Sequence, residues 1–344
     1  MRRAEMRIAV AGMCDDFLVN VVPELSLSGR VHFTDAYDGK PDALSVLQSR
    51  FGFQAMRAWQ DVLDTRRSDA VLIGAEPALQ APIVLSALAR GLHVLCCRPA
   101  AGTLADAISM AAAARSRRDL VAMVCSSPLR FPHDSYVRKF LRSGRLGSVT
   151  TVDVIHTSGS DLRLDKPEMS ELSKPRSVHA LRLSDYAETL NFWVGPYQDL
   201  ITITNRSESV ASQPEFKRMH DRGARIRMIA GTLRGGAAGV EYHSGLSVLG
   251  RDHDLLTIYG TSGTFRYNFV DKTPRFAARD CDFADMAVDE SEFDTRTPGL
   301  DFIKAIEQTD NPEARNLSFD EVVEIVRKLA AIQSSGPERR LCNL

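Results

Sequence analysis

The first 126 residues alternate short apolar runs with segments of helical pattern, and this alternation constrains the fold more than any other feature of the sequence. Because the runs are apolar on both sides, they predict strands covered on both faces, as in a parallel sheet. The helical segments between them supply that cover and predict a doubly wound α/β domain. The predicted strands are residues 7–10, 31–37, 70–74, 93–97 and 120–125, and the predicted helices are 17–27, 42–50, 82–90 and 104–116.

The pattern changes after residue 126. A connecting helix is predicted over 128–141, and the strands after it are separated by turns with glycine and aspartate, which favours a mostly antiparallel sheet. Two closing helices are predicted at 300–306 and 319–332, and Ser318 with Glu321 forms a candidate capping box. The predicted strands are 149–155, 200–205, 225–230, 238–242, 255–259 and 264–269.

We therefore expect an α/β protein of two domains. Residues 1–126 are predicted to form a Rossmann-like, doubly wound parallel sheet of the dinucleotide-binding type. Residues 127–344 are predicted to form an α/β domain with a large, mostly antiparallel sheet.

The composition excludes several classes of function. Lys and Arg number 43 against 44 Asp and Glu, a net charge of −1, which gives no basis for nucleic-acid binding. None of the six cysteines forms a CxxC pair, so no metal is expected and the thiols are predicted to be reduced. No segment approaches the roughly 20 apolar residues of a membrane span, and the N-terminal apolar run is too short for a signal peptide. We expect a cytoplasmic protein that binds neither metal nor membrane.

Short motifs in the order of a known family run through nearly the whole chain. Residues 69–74 read Asp-Ala-Val-Leu-Ile-Gly, residues 143–147 read Ser-Gly-Arg-Leu-Gly, and residues 258–264 read Ile-Tyr-Gly-Thr-Ser-Gly-Thr. In this order they resemble the Gfo/Idh/MocA oxidoreductases. The resemblance implies an NAD or NADP cofactor and hydride transfer to or from a small sugar-, polyol- or acid-like metabolite. It also implies that residues 127–344 bind the substrate and form a homodimer or homotetramer through the C-terminal sheet.

The cofactor motifs of that family are altered in this chain. The GxGxxG loop corresponds to residues 12–17, where Cys14 and Phe17 replace the glycines that allow pyrophosphate approach and close helix packing. Asp15 and Asp16 place carboxylates where phosphate would bind, although either one also suits a helix N-cap. Normal pyrophosphate binding is therefore predicted to be compromised. The cofactor-binding residues that the resemblance implies are Gly12, Asp38 for the ribose, Ala75, Pro77 and Pro99.

The catalytic motifs are altered as well. The family's Glu-Lys-Pro becomes Cys97-Arg98-Pro99, its Thr-Pro-Asn-x-x-His becomes residues 75–80, Ala-Glu-Pro-Ala-Leu-Gln, and its catalytic histidine becomes Asp185. Arg98 can hold a carbonyl or carboxylate but is a poor proton shuttle. Asp185 and Glu188 lie three residues apart on a predicted helix and share a face, either as a catalytic pair or as a solvated, salt-bridged one. The candidate catalytic residues are Arg98, Asp185, Tyr186 and Glu188.

Histidines and cations supply the candidate substrate contacts. By their position relative to the family motifs, these are Arg130, His133, His156 and His179. A histidine at a strand end, such as His156, is also a common structural residue held by hydrogen bonds. The stretch 163–182 carries several cations, so an anionic small molecule is a candidate substrate, although the same charges also serve to solvate a loop.

Three hypotheses for function remain open. In the first, the chain is a divergent NAD(P)-dependent oxidoreductase. In the second, it is a lyase, cyclase or isomerase of the same fold, with Asp185 as base and with Arg98 and Arg130 holding an anion. In the third, it is a catalytically inactive partner or ligand-binding protein. The resemblance favours the first hypothesis and the residue replacements favour the others, and cofactor binding separates them.

Overall fold

The computed structural model describes most of the 344-residue chain. The described residues are 5–14, 20–127, 132–157, 178–206, 225–244, 253–293, 297–308, 316–334 and 340–343. The chain divides into two compact units. The first consists of Met1–Ser126 with Arg296–Val326, and the second of Ser127–Thr295 with Arg327–Leu344.

A parallel six-stranded sheet forms the centre of the first unit. Its order is β3-β2-β1-β4-β5-β6, and every neighbouring pair is parallel. Residues 8–11 and 70–73, in two adjacent strands, are completely buried, as the apolar runs predict, and the Rossmann-like sheet is confirmed. The strands are β1 (Met6–Ala11), β2 (Val31–Tyr37), β3 (Gln54–Ala55), β4 (Ala70–Ile73), β5 (His93–Cys96) and β6 (Ala122–Val124).

Local sequence signals set the ends of the longer helices in this unit. Two of them begin with a proline and end at a glycine of positive φ, Gly52 at 75° and Gly91 at 91°, because proline suits the first helical turn and glycine the left-handed cap. Thr103 caps a third by accepting a hydrogen bond from the Asp106 amide. The helices are α1 (Val22–Leu27), α2 (Pro41–Phe51), α3 (Trp59–Val62), α4 (Pro77–Arg90) and α5 (Leu104–Ser116).

Residues 296–326 pack with the first unit, whereas the sequence analysis placed them in a domain of residues 127–344. Helix α8 (Pro298–Glu307) buries Phe302 and Ile303 completely in the same apolar cluster as β1 and α1. The predicted domain boundary therefore needs this correction. Its cause is that periodicity identifies the apolar face of a helix but not the unit that covers it.

A nine-stranded sheet forms the second unit. Its order is β14-β13-β12-β11-β7-β10-β9-β8-β15, and only β7 and β10 run parallel, so the large, mostly antiparallel sheet is confirmed. Helices α6 (Asp134–Arg142) and α7 (Val178–Trp193) and the end of α9 (Phe319–Ser334) contribute to the apolar core of this unit. The strands are β7 (Val149–Thr157), β8 (Tyr197–Arg206), β9 (Arg225–Leu233), β10 (Ala238–Ser244), β11 (His253–Gly260), β12 (Gly263–Asn268), β13 (Thr273–Ala278), β14 (Ala284–Asp285) and β15 (Arg340–Asn343).

The opposite face of this sheet carries a row of apolar side chains. Leu255, Ile155, Tyr242, Met228 and Ile203 are consecutive cross-strand neighbours on β11, β7, β10, β9 and β8. Ile155, Met228 and Ile203 are 40–48% exposed. An exposed apolar row of this width is typical of a surface that binds another protein.

Most predicted elements lie within a few residues of the observed ones. The capping box is confirmed, since the Ser318 hydroxyl accepts from the Glu321 amide and the Glu321 carboxylate accepts from the Ser318 amide. The short β3 and β14 escaped prediction because two residues are too few to show a period. The predicted helices over 17–27 and 128–141 lie partly outside the described residues, within which they begin at Val22 and Asp134.

Glu24 makes the stability of the first unit depend on pH. Its half-buried carboxylate accepts hydrogen bonds from the Thr297 hydroxyl and from the backbone of Leu300. Burial nevertheless raises the pKa of Glu24 to about 7, from an ordinary 4.5. Because this pKa is higher in the folded state, the stabilisation is complete below pH 4.5 and is lost as the pH rises through 7.

We expect Glu24→Gln to abolish the loss of stability at high pH, because the amide of glutamine has no charge that burial could penalise. The variant and the wild type should have similar Tm values near pH 4.5. Above pH 7, the variant should be more stable by about 1 kcal/mol, a figure that allows for solvent screening of a half-exposed group. Thermal unfolding across this pH range measures the difference, and a variant less stable than the wild type at the alkaline end would contradict the prediction.

Candidate functional site

Gly12 follows the end of β1 in a position that admits no side chain. Its φ is +81°, and a Cβ there would lie 2.5 Å from the Cα of Ala75, which follows β4. The Gly74 amide donates to the Gly12 carbonyl at 3.1 Å, which fixes this close approach. The strand order reverses between β1 and β4, and dinucleotides bind at such a point in open α/β sheets. Gly12 and Ala75 therefore lie where the sequence analysis expects the cofactor.

Asp38 follows β2 and is fixed beside the same loop. Its carboxylate oxygens accept hydrogen bonds from the backbone amides of Met13, at 2.6 Å, and Lys40, at 2.7 Å. A carboxylate after the second strand of such a sheet is the group that binds the ribose hydroxyls of NAD. The structure thus brings Gly12 and Asp38 together through Met13.

Cys14, which stands where the family has the second glycine of this loop, has its side chain in the core of the first unit. Cys14 is only 7% exposed and belongs to the apolar cluster that contains Val10, Val22 and Leu25. Its added bulk is therefore accommodated inside the unit. The other replacements in the loop, Asp15 to Phe17, lie outside the described residues.

Two of the altered motif positions contact one another. Gln80, where the family has histidine, donates from Nε2 to the Ala75 carbonyl at 3.0 Å and to Cys97 Sγ at 3.3 Å. Cys97 stands where the family has glutamate. The contact links the segments that follow β4 and β5.

The other predicted residues of these segments lie beside it. Arg98, which follows Cys97, is half-buried and is joined to Pro99 by a cis peptide bond. Pro77 is the first residue of α4.

In the second unit, Asp185 and Glu188 project from α7 onto one residue. The Ser127 hydroxyl donates to Asp185 Oδ1 at 2.8 Å, and the Ser127 amide donates to Glu188 Oε1 at 2.7 Å. All three residues are buried. The predicted shared face is confirmed, and both carboxylates hold the segment that follows β6.

Tyr186 connects α7 to the sheet. Its hydroxyl donates to Asp254 Oδ1 and lies 2.9 Å from His156 Nδ1, while His156 Nδ1 lies 3.7 Å from the same carboxylate oxygen. Burial raises the pKa of Tyr186 well above its usual value, and the nearby Asp254 raises it further. The phenol therefore stays protonated and acts as a hydrogen-bond donor.

A second buried chain of contacts joins strand β10 to helix α9. Glu241 accepts from Lys328 Nζ at 2.5 Å and contacts His243 Nε2 at 2.9 Å. Burial acts to raise the pKa of Glu241, but Lys328 and His243 outweigh it and lower the pKa to about 2. Burial lowers the pKa of His243, so this imidazole is neutral and the charged pair is Glu241 with Lys328.

His133 is buried away from these contacts. Its Nδ1 lies 3.0 Å from the Tyr267 hydroxyl, and its ring packs edge-on against Phe293. Burial lowers the pKa of His133, and the charge of Lys272 lowers it further. Burial likewise lowers the pKa of Lys272, although the negative charge of Asp254 acts to raise it. Lys272, which was not among the predicted site residues, therefore lies close enough to His133 and Asp254 to influence this part of the second unit.

Arg130 and the side chain of His179 fall outside the described parts of the chain. Sequence reasoning missed Ser127, Asp254, Glu241 and His243. The last three lie on strands whose existence was predicted, but their meeting depends on cross-strand pairing, which sequence periodicity does not specify. Across the described segments, no group of three or more His, Cys, Asp or Glu side chains is arranged to hold a metal ion, and no helix has the length and apolar character needed to cross a membrane.

The first unit has the strand order of a Rossmann fold, with Gly12 after its first strand, and comparisons with known proteins agree. Residues 6–125 match the family model GFO_IDH_MocA, described as "Oxidoreductase family, NAD-binding Rossmann fold". Over these residues the chain is therefore similar to the Gfo/Idh/MocA oxidoreductases, and the resemblance stated from the motifs is confirmed.

Curated relatives match part of the chain. The dTDP-3,4-didehydro-2,6-dideoxy-alpha-D-glucose 3-reductase of Streptomyces violaceoruber is 29% identical over 164 residues, which cover 46% of this chain and 47% of that protein. Levoglucosan dehydrogenase of Pseudarthrobacter phenanthrenivorans is 26% identical over 113 residues, 33% of this chain and 29% of that protein. The chain thus spans about half the length, or less, of the curated relatives it matches.

Solved structures match the fold of nearly the whole chain. Levoglucosan dehydrogenase in complex with NADH has a TM-score of 0.78 at 15% identity, over 96% of both chains. An NAD-binding oxidoreductase from Klebsiella pneumoniae has a TM-score of 0.79 at 15% identity, over 99% of both chains. At this identity the likeness shows that the fold is shared.

The buried pair of Lys328 and Glu241 gives a test of the polar contacts between α9 and β10. We expect Lys328→Met to cost roughly 3–5 kcal/mol of unfolding free energy, because it leaves a buried carboxylate without its ammonium partner. Adding Glu241→Gln should restore much of the loss, since the second change removes the remaining charge. Chemical denaturation measures both.

The exposed pair of Arg115 and Asp320 provides the matched control. Arg115→Met should cost less than about 1 kcal/mol, because solvent screens a surface ion pair. If Lys328→Met costs no more than Arg115→Met, the buried pair does not have the role assigned to it.

Proposed function

We propose that this chain is an NAD-dependent oxidoreductase that transfers a hydride to or from a small sugar- or polyol-like molecule. The observation that carries the proposal is the close contact of Gly12 with Ala75 where the strand order reverses, with Asp38 fixed beside it. In sheets of this order, the cofactor's phosphates approach the glycine and its ribose hydroxyls bind the acid. A nicotinamide cofactor, when bound, supplies the hydride chemistry that no side chain provides.

Asp38 favours NAD over NADP. Each of its carboxylate oxygens accepts one backbone hydrogen bond and has a further lone pair for a ribose hydroxyl. A 2′-phosphate in that place would meet the negative carboxylate and be repelled. The burial of the Cys14 side chain supports cofactor binding despite the altered loop.

The class of substrate rests on two supports. The matching relatives are named for sugar substrates, a dTDP-linked deoxysugar and levoglucosan. In the second unit, His156, Asp254 and Lys272 supply acceptors and a donor of the kind that bind several hydroxyl groups. An anionic substituent on the sugar would find a partner in Lys272 or Arg182.

Asp185 and Glu188 are buried and accept hydrogen bonds from the Ser127 hydroxyl and amide. These contacts support a role for both carboxylates as positioning residues for the segment after β6. Cys14, Cys96, Cys97 and Cys125 are buried, which is consistent with reduced thiols in a cytoplasmic compartment.

Calorimetry with NAD⁺, NADH, NADP⁺ and NADPH tests the cofactor. We expect NAD(H) to bind and NADP(H) to bind more weakly. Asp38→Asn should weaken NAD(H) binding by about tenfold, the equivalent of one charge-assisted hydrogen bond, and should narrow the difference between the two cofactors.

Asp42→Asn is the control for this measurement, because Asp42 is an exposed residue on α2 and should not change binding. Failure of all four dinucleotides to bind would overturn the proposal and favour the inactive or non-redox hypotheses. With binding established, the appearance or loss of NADH with a panel of sugars, sugar nucleotides and polyols identifies the substrate.

We also propose that the chain forms a homodimer or homotetramer through the open face of the nine-stranded sheet. The row of Leu255, Ile155, Tyr242, Met228 and Ile203 crosses five strands there, and its exposed members are large and apolar. A second copy presents the same row, so the surface is complementary to itself in the sense that a twofold interface needs.

Met228→Lys should therefore convert the oligomer to a monomer, because it would bury a charge within this apolar row at the interface. Ultracentrifugation measures the mass of each species. Ile108→Lys is the control, since Ile108 is equally exposed, at 45%, but lies on α5 in the first unit. An oligomer that survives Met228→Lys, or a wild-type protein that is already monomeric, would refute the assignment of this face.

A further inference from the structure

We propose that His156 is the general base of this site, held in its working tautomer by Tyr186 and Asp254. The inference rests on the proposed oxidoreductase function and assigns the residue that moves the substrate proton. It places the imidazole on strand β7, whereas the family motif places its catalytic histidine on the helix corresponding to α7.

The tautomer follows from hydrogen-bond accounting at the Tyr186 hydroxyl. A phenol has one hydrogen, and here it is donated to Asp254 Oδ1. The same oxygen lies 2.9 Å from His156 Nδ1, so towards His156 it can only accept. His156 must then carry its proton on Nδ1, and the lone pair is left on Nε2.

Nε2 is the atom available for chemistry. His156 makes no hydrogen bond through Nε2 to any residue in the described ranges. About a tenth of its side chain is exposed, unlike Tyr186, which is completely buried. An imidazole oriented through one nitrogen, with the other free to accept a proton, is the arrangement in which histidine acts as a base.

The relocation fits the residues that the chain has lost. The family's catalytic histidine is Asp185 here, and Asp185 binds Ser127. The adjacent residue on α7, Tyr186, contacts His156 directly. The helix therefore no longer supplies the imidazole but orients one that comes from the sheet. Arg98, in place of the family's lysine, stays protonated and is unsuited to this task.

In the proposed step, the substrate alcohol loses one proton and one hydride. In the oxidative direction, the O–H bond of a substrate alcohol breaks and its proton goes to His156 Nε2. The adjacent C–H bond would break as a C=O bond forms, with its electron pair leaving as hydride. An oxidised nicotinamide, when bound, would supply the hydride acceptor. The imidazolium so produced lies 3.7 Å, measured from Nδ1, from the Asp254 carboxylate, which stabilises its charge.

Nitrogen-15 NMR of histidine-labelled protein tests the tautomer without cofactor or substrate. His156 is assigned as the signal lost in His156→Gln. The expected neutral form has a protonated Nδ1 and an unprotonated Nε2, and Tyr186→Phe should shift the population towards the Nε2–H form because it removes the acceptor. A wild-type His156 protonated on Nε2 in its neutral form would overturn the proposal.

Steady-state kinetics test the proton transfer itself. The substrate is the alcohol identified by following NADH with the panel of sugars, sugar nucleotides and polyols. His156→Ala should lower kcat by about 100-fold or more while KM changes much less, and added imidazole should restore part of the rate. His253→Ala is the control: this exposed histidine lies beside Asp254 on β11, and its loss should leave the rate unchanged. An unimpaired His156→Ala enzyme, or an impaired one that imidazole does not rescue, would overturn the assignment.

The two proposals fail in different ways. Absence of dinucleotide binding refutes the oxidoreductase and leaves the NMR result to decide whether the Asp254–Tyr186–His156 arrangement exists. Cofactor binding and turnover that do not depend on His156 refute only the base assigned here.

Discussion

Buried polar side chains are tolerated in a protein only when each is paired, because transfer of an unpaired charge from water costs several kcal/mol. The second unit is organised by this constraint. Helices α7 and α9 cover a face of the sheet on which Asp254, His156, His243 and Glu241 are buried. Tyr186 satisfies two of them at once, and Lys328 neutralises Glu241. The helix and the sheet are therefore held in register by polar contacts as well as by apolar packing.

In the first unit the corresponding constraint is steric. Gly12 approaches the backbone of Ala75 so closely that no other residue fits, and this contact sets the loop at the carboxyl edge of the parallel sheet. The neighbouring contact between Gln80 and Cys97 joins two positions at which the family motifs are altered. Replacements that appear independent along the sequence are thus parts of one local arrangement, and the fold is preserved despite them.

The residues of α7 illustrate how far sequence reasoning reaches. The spacing of Asp185 and Glu188 predicted that they share a face, and they do, because helix geometry fixes residues three apart. Their partner, Ser127, is far away in the chain, and no periodicity relates it to them. The same holds for Tyr186, whose contacts with His156 and Asp254 come from two different strands.

The sequence by itself determined the type and order of most of the elements, the two kinds of sheet and the similarity of residues 6–125 to a known family. These properties follow from local patterns, namely the periodicity of apolar residues, helix caps, turn residues and short motifs. Only the tertiary structure decided that α8 packs with the first unit, that Cys14 lies in the core, and that an imidazole from β7 meets a phenol from α7. Those outcomes depend on which segments pair and pack at long range, and that choice is made by the free energy of the whole fold and not by any local stretch of the chain.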